Sequence, residues 1–146
     1  MSSYRDLHND LKWSMAEPPV AALTNLDTAF VSTILDTSLF FVNEYLYLLG
    51  TNTDAGFTTT ILMEEGDDSG LSDAAAVADS DLLGTETGAA FTQASDNKAG
   101  KIGYRGSKRY IRVTVTPSGN AAGDIFFAAG WLQASPRSGS QTTQVL

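Results

Sequence analysis

The sequence predicts an all-β protein: a single-domain β-sandwich, jelly-roll-like, with an extended N-terminal arm. Segments rich in Val, Ile, Phe, Tyr and Thr follow one another along the chain and are separated by Gly, Pro, Asp and Asn, which is typical of short strands joined by turns. Segments with the period of an amphipathic helix are almost absent. The length of 146 residues suits one domain.

The first 25 residues are interpreted as the arm, because their large apolar side chains show a regular spacing over only short stretches. Those singled out are Tyr4, Leu7, Leu11, Trp13 and Met15. Leu7 and Leu11 are four residues apart, which allows one or two helical turns, and Pro18-Pro19 ends any helix there. Two alternatives stay open: a partner orders the arm, or the arm packs back on its own domain.

Residues 26–137 are expected to form the sandwich, and residues 138–146 a flexible tail. The expected strands are residues 29–35, 39–49, 57–64, 77–83, 89–92, 101–104, 109–116 and 124–134, with a short helical turn at 73–78. Residues 39–49 are apolar on both faces apart from Asn43 and Glu44, which favours a central strand. Trp131, on a predicted inner strand, is expected in the core.

The net charge of −8 conceals a strong asymmetry along the chain. Residues 13–97 contain fourteen acidic side chains and no Lys or Arg, whereas residues 98–146 contain seven basic side chains and one acidic. Such polarity favours association between complementary surfaces of different molecules. Pairing of the two halves within one fold would explain it equally well.

Side chains with catalytic or metal-binding chemistry are sparse. There is no cysteine, which suits a reducing cytosol, and the one histidine, His8, lies in the arm without a nucleophile motif near any serine. Glu64, Glu65, Asp67 and Asp68 offer oxygen ligands without the order of a calcium loop, so a solvated acidic loop is the better interpretation. Phosphate-binding glycine motifs are missing. We therefore expect no enzyme activity, no metal and no cofactor.

The chain is expected to act on neither membranes nor nucleic acid. No apolar run reaches the length of a membrane span, and the charged N-terminus does not resemble a signal peptide. One basic cluster interleaves with Tyr104 and Tyr110; its cations are Lys98, Lys101, Arg105, Lys108, Arg109 and Arg112. Such a strip can bind single-stranded nucleic acid. On a protein with an isoelectric point near 4.3 it is better suited to an acidic protein neighbour.

Several segments resemble the small virion proteins of tailed bacteriophages. The clearest is residues 101–116, which follow a pattern of Gly-Tyr, Gly, Arg-Tyr and an apolar strand ending in Arg. Residues 123–132 with 135–137, residues 54–64 and residues 81–84 are also similar. Together they cover most of the chain between residues 39 and 137.

The resemblance implies a capsid cement, or decoration, protein: a jelly-roll-like sandwich on the outside of an icosahedral phage head, assembled in the cytoplasm of the bacterial host. Within the motif, which includes Tyr104, the resemblance implies that Gly103 and Gly106 shape a turn and that Arg109 and Tyr110 anchor the following strand. The implied partner is the major capsid protein, bridged by a homo-oligomer, a dimer or a trimer.

The candidate capsid contacts combine the arm with the basic cluster: Tyr4, Leu7, Leu11, Trp13, Arg105 and Lys108. Two alternatives to a cement protein remain. One is a head-completion or tail protein of the same kind of virion, which shares the β-rich character. The other is a glycan-binding β-sandwich that uses exposed Tyr and Trp side chains.

Overall fold

A computed structural model describes residues 7–19 and 21–138 and confirms the predicted β-sandwich. Two antiparallel sheets pack against each other around one apolar core. The strands are β1 (Leu11–Glu17), β2 (Leu23–Thr24), β3 (Phe30–Val31), β4 (Leu35–Asp36), β5 (Phe40–Leu49), β6 (Thr58–Gly66), β7 (Ala75–Ala76), β8 (Leu82–Leu83), β9 (Ala99–Tyr104), β10 (Tyr110–Ser118), β11 (Asp124–Ile125) and β12 (Phe127–Pro136). The helices are single turns: α1 (Leu7–Asp10), α2 (Glu86–Ala89) and 3-10 turns at Asp79–Asp81 and Gln93–Ser95.

The first sheet has five strands in the order β1-β12-β5-β9-β8. β5 lies at its centre, as the sequence predicts, and pairs with β12 and β9 along most of its length. Its inward residues, which alternate with outward ones, include Tyr45 and Tyr47, and those of β12 include Phe127 and Trp131. Trp131 is 1% exposed and its indole N–H donates to the Thr33 carbonyl at 3.0 Å, so the predicted core position is confirmed.

The second sheet is built on the long pair β6 and β10. β7 extends it beside β6, while β3 and β4 both pair with β10 on the other side. The inward side chains of the long pair are aliphatic, among them Ile61, Met63, Ile111 and Val113. The outward side chains are mostly threonines and charged groups, so this sheet has the usual division into a buried and a solvated face. β2 and β11 form a separate two-stranded sheet.

The interpretation of residues 1–25 as an arm needs a correction. Leu11–Glu17 form β1, an edge strand of the five-stranded sheet, paired with β12 from Leu11 opposite Ala134 to Glu17 opposite Ala129. A β-carbon on Gly130 would lie 2.4 Å from Cζ2 of Trp13, so the strand sits tightly over β12 because residue 130 has no side chain. Of the two alternatives, packing on its own domain is the observed one for these residues. Tyr4 and residues 139–146 lie outside the described residues.

Four shorter predictions were also wrong. Of the strand expected over residues 77–83, only Leu82–Leu83 form one, β8, because Asp79–Asp81 form a 3-10 turn. Residues 73–78 form no helical turn, because Ala75 and Ala76 pair with β6 as β7. Residues 89–92 end a helical turn instead of forming a strand, and only Thr92 makes an isolated bridge, to Thr58. The expected strand over residues 29–35 is split into β3 and β4, because the backbone N–H of Thr33 turns to the Ala16 carbonyl of the other sheet at 2.8 Å.

Candidate protein-binding surfaces

The strand register brings parts of the two predicted contact clusters to one end of the sandwich: Leu7 and Leu11 of the arm, and Arg105 and Lys108 of the basic cluster. Leu11 lies opposite Ala134, and Ala134 lies opposite Val42. Because Asn43 is opposite Tyr104, the loop of residues 105–109 begins in the same row. α1, which precedes Leu11, and this loop therefore leave the same end of the five-stranded sheet, although they are far apart in sequence.

We call this surface the cationic end; it comprises Leu7, Leu39, Phe41, Arg105, Lys108 and Arg137. All six side chains are exposed, Phe41 at 64%. The guanidinium of Arg137 lies over the Phe41 ring, 4.2 Å from its centroid. An exposed aromatic ring beside cations is a common composition of protein-binding surfaces. Of the predicted contacts, Leu7, Arg105 and Lys108 belong to this end, and Leu11 is half-buried beside it.

Ion pairs within the chain account for part of the charge asymmetry. Salt bridges join Lys108 to Asp67 at 2.6 Å, Arg109 to Asp36 at 2.9 Å and Arg112 to Glu64 at 2.7 Å. Each salt bridge joins a cation of residues 98–146 to a carboxylate of residues 13–97, so the charges of these three cations are balanced within the fold. Within the described part of the chain no carboxylate lies in salt-bridge range of Arg105, whose Nε donates to the Ser80 carbonyl at 2.8 Å.

Burial raises the pKa of Asp36, but hydrogen bonds from Arg109 and Ser38 outweigh this effect and lower the pKa to about 2. The Asp67 carboxylate raises the pKa of Lys108, while the hydrogen bond from Lys108 lowers the pKa of Asp67. Both pairs therefore remain charged near neutral pH. Arg109 also lies 5.1 Å from the centroid of the Tyr110 ring. Arg109, directly before β10, is exposed, and Tyr110, the first residue of β10, is half-buried.

Tyr104 fixes the conformation of the loop of residues 105–109. Its buried hydroxyl donates to Oε2 of Glu65 at 2.5 Å and accepts the backbone N–H of Lys108 at 2.8 Å. Burial and the hydrogen bond to Glu65 raise the pKa of Tyr104. A β-carbon on Gly106 would lie 2.5 Å from the Tyr104 hydroxyl, so any larger residue at this position would displace the Tyr104 ring. Gly103 shapes no turn: it lies within β9, opposite Glu44, which corrects its expected role.

The outer face of the five-stranded sheet carries an apolar groove that sequence reasoning missed. β12 contributes the small residues Ala128 and Gly130 as the floor, between larger side chains on either side. The walls are Trp13, Met15, Pro19, Leu46 and Leu48, which enclose about 200 Å³. Trp13 is 49% and Leu48 is 63% exposed. Large exposed apolar side chains in one groove are a mark of an interaction surface.

Two charged residues are central to this outer face, Glu44 on β5 and Lys101 on β9. Glu44 lies opposite Gly103, and Lys101 opposite Leu46, so the two charges are diagonal neighbours. Burial raises the pKa of Glu44, and the nearby Lys101 ammonium partly offsets that rise. The central part of the face thus carries one acid and one base among apolar side chains.

The groove was foreseeable in one respect. Residues 39–49 are apolar on both faces, yet a two-layer sandwich buries only one face of each sheet. Val42, Leu46 and Leu48 consequently point away from the core. The sequence does not indicate that Leu39, Phe41 and Arg137 lie together at the cationic end, because their proximity depends on the register of β5 and β12.

Glu64 and Glu65, expected in a solvated acidic loop, lie in β6, and the acidic loop that follows this strand is held by its own carboxylates. Asp73 accepts the backbone N–H groups of Asp67 and Asp68, and Asp68 accepts those of Gly70 and Ser72. These hydrogen bonds lower the pKa of Asp73 and Asp68. Across residues 7–19 and 21–138, no three His, Cys, Asp or Glu side chains converge as a metal site would require. No helix in the same ranges is long and apolar enough to cross a membrane.

Comparison of the chain with models of known protein families, with curated protein sequences and with solved structures finds no match in any of the three.

Proposed function

We propose that this chain is a structural virion protein of a tailed bacteriophage, a capsid cement protein that binds the outside of the icosahedral head and bridges major capsid subunits. The observation that carries the proposal is the cationic end, where exposed Phe41 and Leu39 lie among Arg105, Lys108 and Arg137. The identity of the partner comes from the resemblance of residues 101–116 and 123–132 to small phage virion proteins.

The charges of the cationic end suit a reversible contact with an acidic surface. Arg105 and Arg137 are exposed, and within residues 7–19 and 21–138 neither forms a salt bridge. Such cations steer a partner of opposite charge, and their effect weakens as salt screens them. A cement protein repeats the contact over many symmetric copies, so a modest affinity per copy suffices to stabilise the shell.

The test is co-sedimentation of the full chain with expanded phage heads at low and at physiological salt, together with the rupture temperature of the heads. We expect wild-type protein to bind and to raise the rupture temperature. Arg105→Glu should weaken binding at low salt about tenfold. Lys98→Glu is the matched control, because Lys98 is also exposed, also donates to a backbone carbonyl, and precedes β9 at the opposite end.

Equal binding by the two variants would contradict the role of the cationic end, and no binding by wild type would contradict the proposal. Removal of Met1 to Pro19 is no clean test, because it deletes β1 from the sheet. Copy number separates the related alternative: a cement protein is expected in hundreds of copies per particle, and a head-completion or tail protein in about a dozen.

The glycan-binding alternative gains little from the geometry. Trp131 is buried, and the groove beside the exposed Trp13 is lined by aliphatic side chains, which offer no hydrogen bonds to sugar hydroxyls.

A further inference from the structure

The apolar groove and its surroundings form a surface of a different kind from the cationic end. Trp13 and Met15 on the edge strand β1 and Leu48 on the central strand β5 are exposed on one face of the five-stranded sheet, on strands instead of loops. Apolar sheet faces of this sort resemble half of a domain core, which is typical of permanent interfaces. The outer face of the second sheet provides the contrast, since threonines and the Arg112–Glu64 pair cover it.

Charge decides which occupant fits this face. The chain has a net charge of −8, so two copies repel each other over most of their surfaces. The face around the groove is nearly neutral, with Glu44 and Lys101 at its centre. It is also self-complementary, because a two-fold axis between these residues places Glu44 of each copy against Lys101 of the other.

We infer that the outer face of the five-stranded sheet joins two copies of this chain in a two-fold symmetric dimer, with the apolar grooves in contact and Glu44 of each copy paired with Lys101 of the other. Each cross-pair also compensates the burial of its own charges, since an unpaired charge in such an interface is strongly unfavourable. The inference goes beyond the proposed function, because it concerns the free protein and holds whether or not the chain binds a shell.

The first measurement is the mass of the full-length protein by sedimentation equilibrium at neutral pH, at concentrations up to about 100 µM. We expect about twice the 15.5 kDa of one chain. Leu48→Asp, which places a charge in the groove at a position that is 63% exposed, should yield monomer. Leu62→Asp is the matched control: Leu62 is 40% exposed on the outer face of the second sheet, and this variant should stay dimeric.

A charge exchange tests the two-fold arrangement itself. Glu44→Lys leaves only positive charge at the centre of the face and Lys101→Glu only negative, so each variant alone should dimerise at least about tenfold more weakly than wild type. Mixing the two variants should restore dimers, because each copy then meets opposite charges across the interface. Changes confined to one chain cannot be rescued by mixing, so this readout requires contact between copies.

Three results would overturn the inference: wild-type monomer at every concentration, dimers that persist in Leu48→Asp, or no heterodimer in the mixture while circular dichroism shows both variants folded. A trimeric mass would also overturn it, since a three-fold assembly does not place equivalent faces against each other. A dimer that fails to sediment with phage heads would contradict the proposed function alone.

Discussion

Two buried tyrosines of the five-stranded sheet offer a controlled comparison of hydrogen bonding. Tyr45 on β5 and Tyr104 on β9 both point into the core, at 0% and 2% exposure. The Tyr104 hydroxyl bonds to Glu65 and to the backbone N–H of Lys108. The Tyr45 hydroxyl is buried with no hydrogen-bond partner among the described residues, and burial raises its pKa. Tyr→Phe removes the same single atom at both sites.

We expect Tyr104→Phe to lower the free energy of unfolding by about 2–3 kcal/mol, since a hydrogen bond to a carboxylate contributes about 1.5–3 kcal/mol and the Lys108 N–H loses its acceptor. For a domain of this size the melting temperature should fall by about 6–10 °C. Tyr45→Phe should leave stability unchanged or raise it by about 1 kcal/mol, because no bond is lost and an unsatisfied polar atom leaves the core.

The assay is urea unfolding of both variants followed by circular dichroism, with calorimetry for the melting temperatures. Equal slopes against urea would show that the two transitions expose the same surface. Similar losses of stability in the two variants would refute the reasoning, because volume and burial alone would then account for both. A loss in Tyr45→Phe comparable with the hydrogen-bond contribution would show that the Tyr45 hydroxyl has a partner.

Two further predictions concern β1 and the Asp36–Arg109 pair. Gly130→Ala should displace the Trp13 ring and lower the free energy of unfolding by about 1–3 kcal/mol. Amide hydrogen exchange should become faster in Leu11–Glu17 but not in β6 or β10. Unchanged exchange in β1 would contradict the close packing of Trp13 on Gly130. Because the Asp36 pKa is lowered from 3.8 to about 2 in the fold, its ion pair stabilises the protein above the higher value and is lost as pH falls toward the lower. Asp36→Asn should therefore be less stable to urea than wild type at pH 6, and nearly as stable as wild type near pH 2. A difference in stability that stays constant at all pH values would show that ionisation of Asp36 does not stabilise the fold.

The long strands could be predicted because their alternation matches their burial. β6 and β10 place Thr59, Ile61 and Val113 inward and threonines outward, which is the pattern that sequence reasoning looks for. Short strands carry no such pattern. Ala75 and Ala76 favour a helical turn locally, and only their hydrogen bonds to the already ordered β6 make them β7.

β1 shows why an alternating pattern can mislead. Leu11, Trp13 and Met15 alternate with Lys12 and Ser14, a period that indicates a strand, but the apolar side chains lie on the outer face of the sheet. Sequence reasoning usually assumes that the apolar side chains of a strand face the core, but those of this segment face away from it. The pattern is consistent with a strand whose apolar face meets another molecule, and one sequence alone cannot distinguish that arrangement from an arm.

The two proposed surfaces would act together. The groove lies on the face of the five-stranded sheet and the cationic end lies where its strands β5 and β12 begin and end, so an interface through the groove leaves Phe41 and Arg105 free. A dimer would then present two cationic ends, and the second contact with a shell would form at the high effective concentration set by the first. On this reasoning Leu48→Asp, though distant from the cationic end, should weaken binding to phage heads. The salt dependence of binding by each single cationic end should stay the same. Unweakened binding by that monomer would show that a single cationic end suffices and that the dimer does not contribute to attachment.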